Sequence, residues 1–152
     1  MIDDIIAILI LSILLAIAIK TYQPYLKIAR LTQTIGGSPF TDMKMQMIFY
    51  RAHTGEWPKD NQQTLSFGSW EGHDVDLPAY VKEAKIDDGA IHFSLDQNFQ
   101  GKTVTLRPAV PADDLFGPVI WVCGDRDPSS GWLVHGVDRT DVDEKYIHSS
   151  WR

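Results

Sequence analysis

The uninterrupted apolar run Ile5–Ile19 constrains this chain more than any other feature of its sequence. Ser12 is the only polar residue within it. A helix of this length covers about 22 Å, whereas the hydrocarbon core of a bilayer is about 30 Å thick. The apolar residues Met1 and Ile2, together with a snorkelling Lys20, close most of that gap. The segment 1–20 therefore predicts one membrane-spanning helix.

A cleaved secretory signal is the alternative interpretation of the same segment. Signal peptides begin with basic residues and end at a small-residue cleavage site. This chain begins with Asp3 and Asp4, and its apolar run leads directly into a second helical pattern. The sequence favours a helix that is retained in the mature protein.

An amphipathic helix is predicted over about residues 21–55, with a break near its middle. Three- and four-residue spacings define its first face, formed by Tyr22, Tyr25, Leu26, Ala29 and Thr32, while Lys27 and Arg30 lie off that face. Pro24 predicts a bend within this pattern, because proline lacks a backbone donor. "GGSPF" at 36–40 predicts a break and a restart, with Ser38 as N-cap and Pro39 in the first turn.

The restarted helix is predicted to end at "HTGEWP", residues 53–58. Its core face contains Phe40, Met43, Met47 and Tyr50, and its outer side carries Lys44 and Arg51. Gly55 suits the left-handed position after a helix, and Pro58 cannot continue one. The string also resembles a zinc-finger linker, but a finger needs two cysteines before its histidine pair. The chain has one cysteine, Cys123, far downstream.

The remainder of the chain predicts an antiparallel sheet. Residues 56–88 are polar and weakly patterned, which indicates a connecting loop. Four strand candidates follow within 89–137: "AIHFSL", "KTVTLRP", "PVIWVCG" and "GWLVHGV". The third has a continuous apolar run, typical of a central strand covered on both faces. Residues 138–152 are predicted as a C-terminal loop. The fold class is α+β, with the long helix packed on a sheet of about four strands.

Composition and motifs argue against several functional classes. The 152-residue chain has a net charge of −6 and no basic cluster, which disfavours nucleic-acid binding. Its histidines form no metal-binding pair, and nucleotide-binding and nucleophile-elbow motifs are absent from the sequence. We therefore predict no catalytic residue, no metal, no cofactor and no enzymatic activity. One acidic cluster remains, formed by Asp138, Asp141, Asp143 and Glu144; its spacing does not fit an EF-hand, and we interpret it as a solvated loop.

The sequence resembles the type IV pilins and related pilin-like proteins over nearly its whole length. "ILLAIAIKTYQPYLKIAR" is similar to the N-terminal helix of the family, and "FYRAHTGEWPKD" to the end of that helix. "DDGAIHFSLDQNFQGKTVTLRP" resembles the first two strands, "GPVIWVCG" the strand that contains a Trp-x-Cys motif, and "KYIHSSWR" the C-terminal segment. The order and spacing of these matches are more specific than any one of them.

The resemblance implies a pilin fold and a structural function. It implies a subunit, major or minor, of a type IV pilus or related filament, assembled through the N-terminal helix and serving adhesion, motility or DNA uptake. The implied partners are copies of itself or other pilins, the inner-membrane assembly platform, and the bilayer before assembly; DNA or a host surface is a further possibility. The implied location is the inner membrane, single-pass with a periplasmic head, and then the cell-surface pilus.

The resemblance also implies a role for one acidic residue near the N-terminus. In the family, a carboxylate there offsets the terminal amine of a neighbouring subunit, and the position falls on Asp3. A solvated end of the helix at the membrane interface is the alternative for Asp3 and Asp4.

Two departures from the family pattern leave the function open between two classes. The family is made with a short basic leader, which we expect upstream of Met1. The family also closes its C-terminal loop with a disulfide, whereas in this sequence Cys123 stands at one half of that bridge and Trp151 at the other. The alternative to a filament subunit is a membrane-anchored, pilin-like regulator that does not enter filaments.

Overall fold

The computed structural model describes residues 1–65 and 77–147, and begins with a long helix broken once. Helix α1 covers Ile2–Ile35 and includes Pro24, and helix α2 covers Ser38–Thr54. The break at Gly36 and Gly37 confirms the predicted interruption. The N-cap of α2 is Gly37, one residue before the predicted Ser38, with proline in the first turn. The helix ends as predicted at Gly55, which has a φ of 80°.

The sheet is antiparallel and five-stranded, which confirms the predicted α+β class. Its strands are β1 Val81–Asp87, β2 Ala90–Leu95, β3 Thr103–Pro111, β4 Ile120–Cys123 and β5 Trp132–Val134. The path runs β1-β2-β3-β4, and β5 also pairs with β3. Ala109 pairs with Ile120 and with Val134, so β4 and β5 lie on opposite edges of β3. Strands β2 and β5 therefore lie one after the other along the same edge of β3.

The segment predicted as a loop over 56–88 contains two regular elements. A short helix α3 covers Asn61–Leu65, and strand β1 occupies the end of the segment. The prediction missed β1 because it is an edge strand whose Lys82, Glu83 and Lys85 are exposed, which hides its alternation. Residues 66–76 of this loop, and residues 148–152 of the predicted C-terminal loop, lie outside the described residues.

The core forms where the second half of α1 and the inner face of α2 meet the sheet. Its α1 members are Leu31 and Ile35, and its α2 members include the predicted Phe40, Met43 and Met47. The rings of Phe40 and Phe93 meet edge to face, with centroids 4.4 Å apart. On the face of α1 defined by its spacing pattern, Tyr22 and Tyr25 are exposed. Both residues precede the part of α1 that the sheet covers.

The opposite face of the sheet is also covered, which the sequence did not predict. His92 and Thr105, which alternate with inward-facing apolar residues in their strands, are 6% and 0% exposed. The segment after β5 lies across them: Arg139 N donates to Thr105 Oγ1 at 3.1 Å, and Thr105 N donates to Thr140 Oγ1 at 3.0 Å. Strand β4, predicted as central, ends the strand path, and its Ile120 is 39% exposed.

Candidate functional site

The first half of α1 is an apolar helix that the rest of the described chain leaves uncovered. Every residue from Met1 to Gln23 is exposed, whereas Leu31 and Ile35 on the same helix are buried. The exposed large aliphatic residues of this half are Ile2, Ile5, Ile6, Ile8, Leu9, Ile10, Leu11, Ile13, Leu14, Leu15, Ile17 and Ile19. They occupy all sides of the helix, a pattern that requires lipid or other protein around it. The helix Ile2–Ile35 is long and apolar enough to cross a membrane.

The polar side chains inside this apolar segment are satisfied by the helix itself. Ser12 Oγ donates to Leu9 O at 2.7 Å, and Thr21 Oγ1 lies 3.1 Å from Ile17 O and 3.0 Å from Ala18 O. Hydroxyls that bond to their own helix need no water and no partner chain. The surface is therefore suited both to lipid and to close packing against other helices.

Asp3, the predicted assembly residue, lies in the first turn of α1 and is exposed. The neighbouring Asp4 contacts the ammonium group of Met1, with the nitrogen 3.5 Å from Asp4 Oδ2. A carboxylate in the first turn is favoured there by the helix dipole. The geometry places two exposed carboxylates at the end of the apolar surface, and only that of Asp4 is paired among the described residues.

Two cation–aromatic contacts fix the lower part of α1 to the head, and the sequence analysis missed both. Lys27 Nζ lies 5.4 Å from the ring centroid of Tyr146, and Arg30 Cζ lies 5.5 Å from that of Tyr80. Such contacts contribute about 0.5–1 kcal/mol each at exposed sites. They mark the level at which α1 joins the head.

A second set of cation–aromatic contacts runs along α2, although Lys44 and Arg51 were predicted to lie on its outer side. Lys44 Nζ is 5.7 Å from the ring centroid of Trp121, which lies 6.4 Å from that of Trp57. Arg51 Cζ is 4.7 Å from the Trp57 centroid and 5.9 Å from that of Phe116. Arg51 is only 7% exposed. The prediction failed because a helical pattern treats arginine as solvated and cannot show which aromatic rings will cover it.

The acidic cluster at 138–144 is divided among separate interactions. Asp138 Oδ1 accepts from Thr140, Asp141 Oδ1 accepts from Thr103 N, and Asp143 pairs with Lys145 at 2.9 Å. The bonds to Lys145 lower the pKa of the Asp143 carboxyl. Within residues 1–65 and 77–147, no group of three or more ligating side chains is placed to hold a metal ion.

Cys123 is a buried thiol on β4, and it is the only cysteine in the sequence. Burial raises its pKa to about 12, so it stays protonated at neutral pH. A disulfide within the chain is impossible with one cysteine. Trp151, at the position where the resemblance implies the second cysteine, lies outside the described residues.

Comparison with known proteins agrees with this architecture. No protein-family model matches the chain. The chain is 30% identical to the type IV major pilin protein PilE of Neisseria gonorrhoeae over 100% of its own length and 91% of that protein. It is 27% identical to the type IV major pilin protein PilE1 of the same organism, over 100% of its own length and 84% of that protein. With a long apolar helix, an antiparallel sheet and full-length similarity to two pilins, this chain belongs to the type IV pilin family.

Proposed function

We propose that the chain is a structural subunit of a type IV pilus or a related filament. The observation that carries this proposal is the contrast along α1: its first half is apolar and fully exposed, and its second half is built into the head. A helix with this contrast attaches a folded head to a separate apolar environment. In a filament, that environment is formed by the same half-helices of other copies.

The transfer from membrane to filament is energetically reasonable for this helix. Burial of each Leu or Ile side chain is favourable by about 1.5–3 kcal/mol relative to exposure to water. Contacts between helices replace contacts with lipid tails, so the net change is set by packing, which small side chains improve. Ala7, Ser12, Ala16 and Ala18 supply such small surfaces along the exposed half.

We also propose that Asp3 is the assembly carboxylate. Its exposed position in the first turn of α1 leaves it accessible to the terminal amine of a neighbouring subunit. Transfer of an unpaired carboxylate into an apolar filament core costs several kcal/mol, so pairing there favours correct docking.

The proposed location follows from the proposed assembly. Before assembly, the chain would cross the inner membrane once with its head in the periplasm; after assembly it would be exposed on the cell-surface pilus. Its partners would be other pilin copies, the assembly platform and the bilayer. Adhesion, motility or DNA uptake are the activities that such a filament would support, with a host surface or DNA as the contacted material.

The N-terminal mass of the native protein tests the proposal directly. It is measured in parallel on sheared surface fibres and on washed membranes. A processed N-terminus in the fibre fraction supports the filament subunit. Protein found only in membranes, at any mass, contradicts it and supports the alternative of a membrane-anchored regulator.

A matched pair of substitutions tests Asp3 separately. Asp3→Ala removes the carboxylate and should reduce the amount of protein in sheared fibres at least about tenfold, as expected for loss of more than ~1.4 kcal/mol. Asp3→Glu should retain fibres, and Asp4→Ala is the control that changes charge equally one residue away. Equal losses for Asp3→Ala and Asp4→Ala would assign the effect to net charge at the helix end.

A further inference from the structure

The head contains an open cleft of about 330 Å³ that the filament function does not use. It lies between the end of α2, the loop that joins β3 to β4, and the residues after β5. Its apolar walls are Trp57, Leu115 and Phe116, and its polar lining includes Arg51 and His135. Leu115 and Phe116 are 50% and 74% exposed, which is high for large apolar side chains at the mouth of a cleft.

Arg51 is a buried cation without a counter-charge in the part of the chain that the structure describes. Its Nη2 donates to the carbonyl of Leu115, and its guanidinium lies against the rings of Trp57 and Phe116. The ion pairs among residues 1–65 and 77–147 do not include Arg51. Burial lowers the pKa of this guanidinium, although arginine remains charged under physiological conditions. A buried charge of this kind is stabilised when an anion enters beside it.

Two more polar groups in the lining lack partners within the described residues. Trp57 Nε1 and His135 Nε2 are both buried and make no hydrogen bond there. Their rings lie 5.9 Å apart, at an angle of 46°. Burial, followed by the nearby charge of Arg51, lowers the pKa of His135. The imidazole is therefore neutral near pH 7, and Arg51 is the buried charge in the lining.

The remaining charges of the lining are at its rim. Glu56, Asp88 and Lys59 line the cleft and are exposed. Exposed charges are screened by water and salt, whereas a buried guanidinium is screened much less. The rim thus carries two acidic groups and one basic group around a positive interior. Because the rim has more acidic than basic groups, it weakens the binding of a highly charged anion more than the binding of a singly charged one.

We propose that this cleft binds a carboxylate attached to a small apolar or aromatic group. The planar guanidinium matches a carboxylate through paired N–H···O bonds, and the Trp57 and Phe116 rings match the apolar part. A volume of about 330 Å³ accommodates one such group. The proposal does not depend on Asp3 or on the first half of α1, because every lining residue belongs to the head.

The test uses the full-length, ¹⁵N-labelled protein in detergent micelles and follows the indole N–H signal of Trp57. The first probe is phenylacetate, compared with phenylacetamide, which has the same shape without the charge. We expect phenylacetate to shift the Trp57 signal to saturation, with a dissociation constant of about 1–10 mM. Phenylacetamide should bind at least about tenfold more weakly. Equal binding of phenylacetate and phenylacetamide would overturn the proposal.

A second arm identifies the source of the carboxylate. The probe is an N-acetylated, C-amidated Asp-Phe dipeptide, compared with its Asn-Phe counterpart. Binding of the Asp peptide in preference to the Asn peptide assigns the site to an acidic side chain on a protein. Binding of phenylacetate without the peptide assigns it to a free small acid. Either result supports a site for a carboxylate. If neither phenylacetate nor the Asp peptide binds, the proposal is rejected.

Two variants test the assigned roles. Arg51→Gln should weaken phenylacetate binding at least about tenfold because it removes the charge, and Arg51→Lys about fivefold because it removes the paired geometry. Glu56→Gln, an exposed change that leaves the head folded, should tighten binding about twofold by removing a repulsive rim charge. Unchanged affinity in a folded Arg51→Gln variant, or weaker binding in Glu56→Gln, would contradict the assignment.

Discussion

At the scale of single residues, Gly136 shows how closely the segment after β5 approaches β2. It has a φ of 87°, and a Cβ built on it would lie 2.6 Å from Ala90 Cβ and 3.0 Å from Ala90 N. Gly124 has a similar φ of 69°, but a Cβ there would meet no atom of residues 1–65 and 77–147 within 4 Å. Comparing substitutions at the two glycines therefore distinguishes the cost of backbone strain from the cost of steric overlap.

Gly136→Ala should destabilise the protein more than Gly124→Ala. The left-handed backbone costs an alanine about 1–2 kcal/mol at either site. At position 136, overpacking against β2 adds about 1–3 kcal/mol. Urea unfolding of both variants measures the difference. Equal midpoints would show that β2 moves away from residue 136 without cost.

His92 gives the stability of the head a pH dependence. It is buried, and its Nδ1 lies 2.8 Å from Thr105 Oγ1. Burial, followed by the charge of Arg139, lowers its pKa below the usual value of 6.5. Below that value the unfolded chain binds a proton that the folded chain does not. The contribution of His92 to the stability of the folded head is therefore present above about pH 6.5, and it is lost as the pH falls towards the lowered pKa.

The measurement is the urea midpoint at about pH 7.5 and about pH 5.5. We expect the lower midpoint at the acidic pH, and a smaller difference in His92→Gln, which cannot titrate. His135, whose pKa is also lowered by burial and Arg51, contributes with the same sign, so a double substitution should flatten the profile further. A His92→Gln profile parallel to that of the wild type would contradict this role.

At the scale of elements, helix α3 protects the outer edge of the sheet. Strand β1 pairs with β2 on one side only. On its other side, Asn61 Nδ2 donates to Ala84 O at 3.1 Å, and Ile86 N donates to Asn61 Oδ1 at 2.6 Å. One side chain thus takes the place of a neighbouring strand and blocks further pairing at this edge.

Asn61→Ala should cost about 1–3 kcal/mol, because Ile86 N loses its acceptor next to a buried side chain. Gln62→Ala, an exposed change in the same helix, is the control. Amide exchange at Ile86 should accelerate in Asn61→Ala and stay unchanged in the control. If Ile86 remains protected, another group replaces the asparagine.

The same elements show how far the sequence predicted the fold. The helix end at Gly55 and the β2 and β3 strands were predictable, because their signals are local: a left-handed glycine before a proline, and alternating apolar residues. Strand β1 was not predicted, because its exposed face is charged and hides the alternation, although its partner β2 follows it directly. The burial of Arg51 was not predictable, because Phe116, which covers it, is distant in sequence. Local chemistry predicts elements, and tertiary contacts decide which polar residues are buried.

At the scale of the whole molecule, α1 has two halves with separate functions. The first half has no contact with the core, and the second contributes Leu31 and Ile35 to it. Substitutions in the two halves should therefore affect different measurements.

Ile10→Arg should leave the unfolding midpoint of the head unchanged and reduce membrane retention and fibre formation, since a central charge costs about 2.5–3.5 kcal/mol in a membrane helix. Leu31→Ala should lower the stability of the head by about 2–5 kcal/mol through the cavity that it creates. Thermal unfolding in micelles and the yield of sheared fibres measure the two effects. A head destabilised by Ile10→Arg would show that the halves are coupled.

The composition of the core also sets the order of events during biosynthesis. Leu31 and Ile35 share one hydrophobic cluster with Val142 and Ile147, which lie far later in the chain. Because synthesis starts at the N-terminus, the head lacks this part of its core until residue 147 has been made. Until then the nascent head is incompletely packed, and chaperones and proteases have this interval in which to act on it.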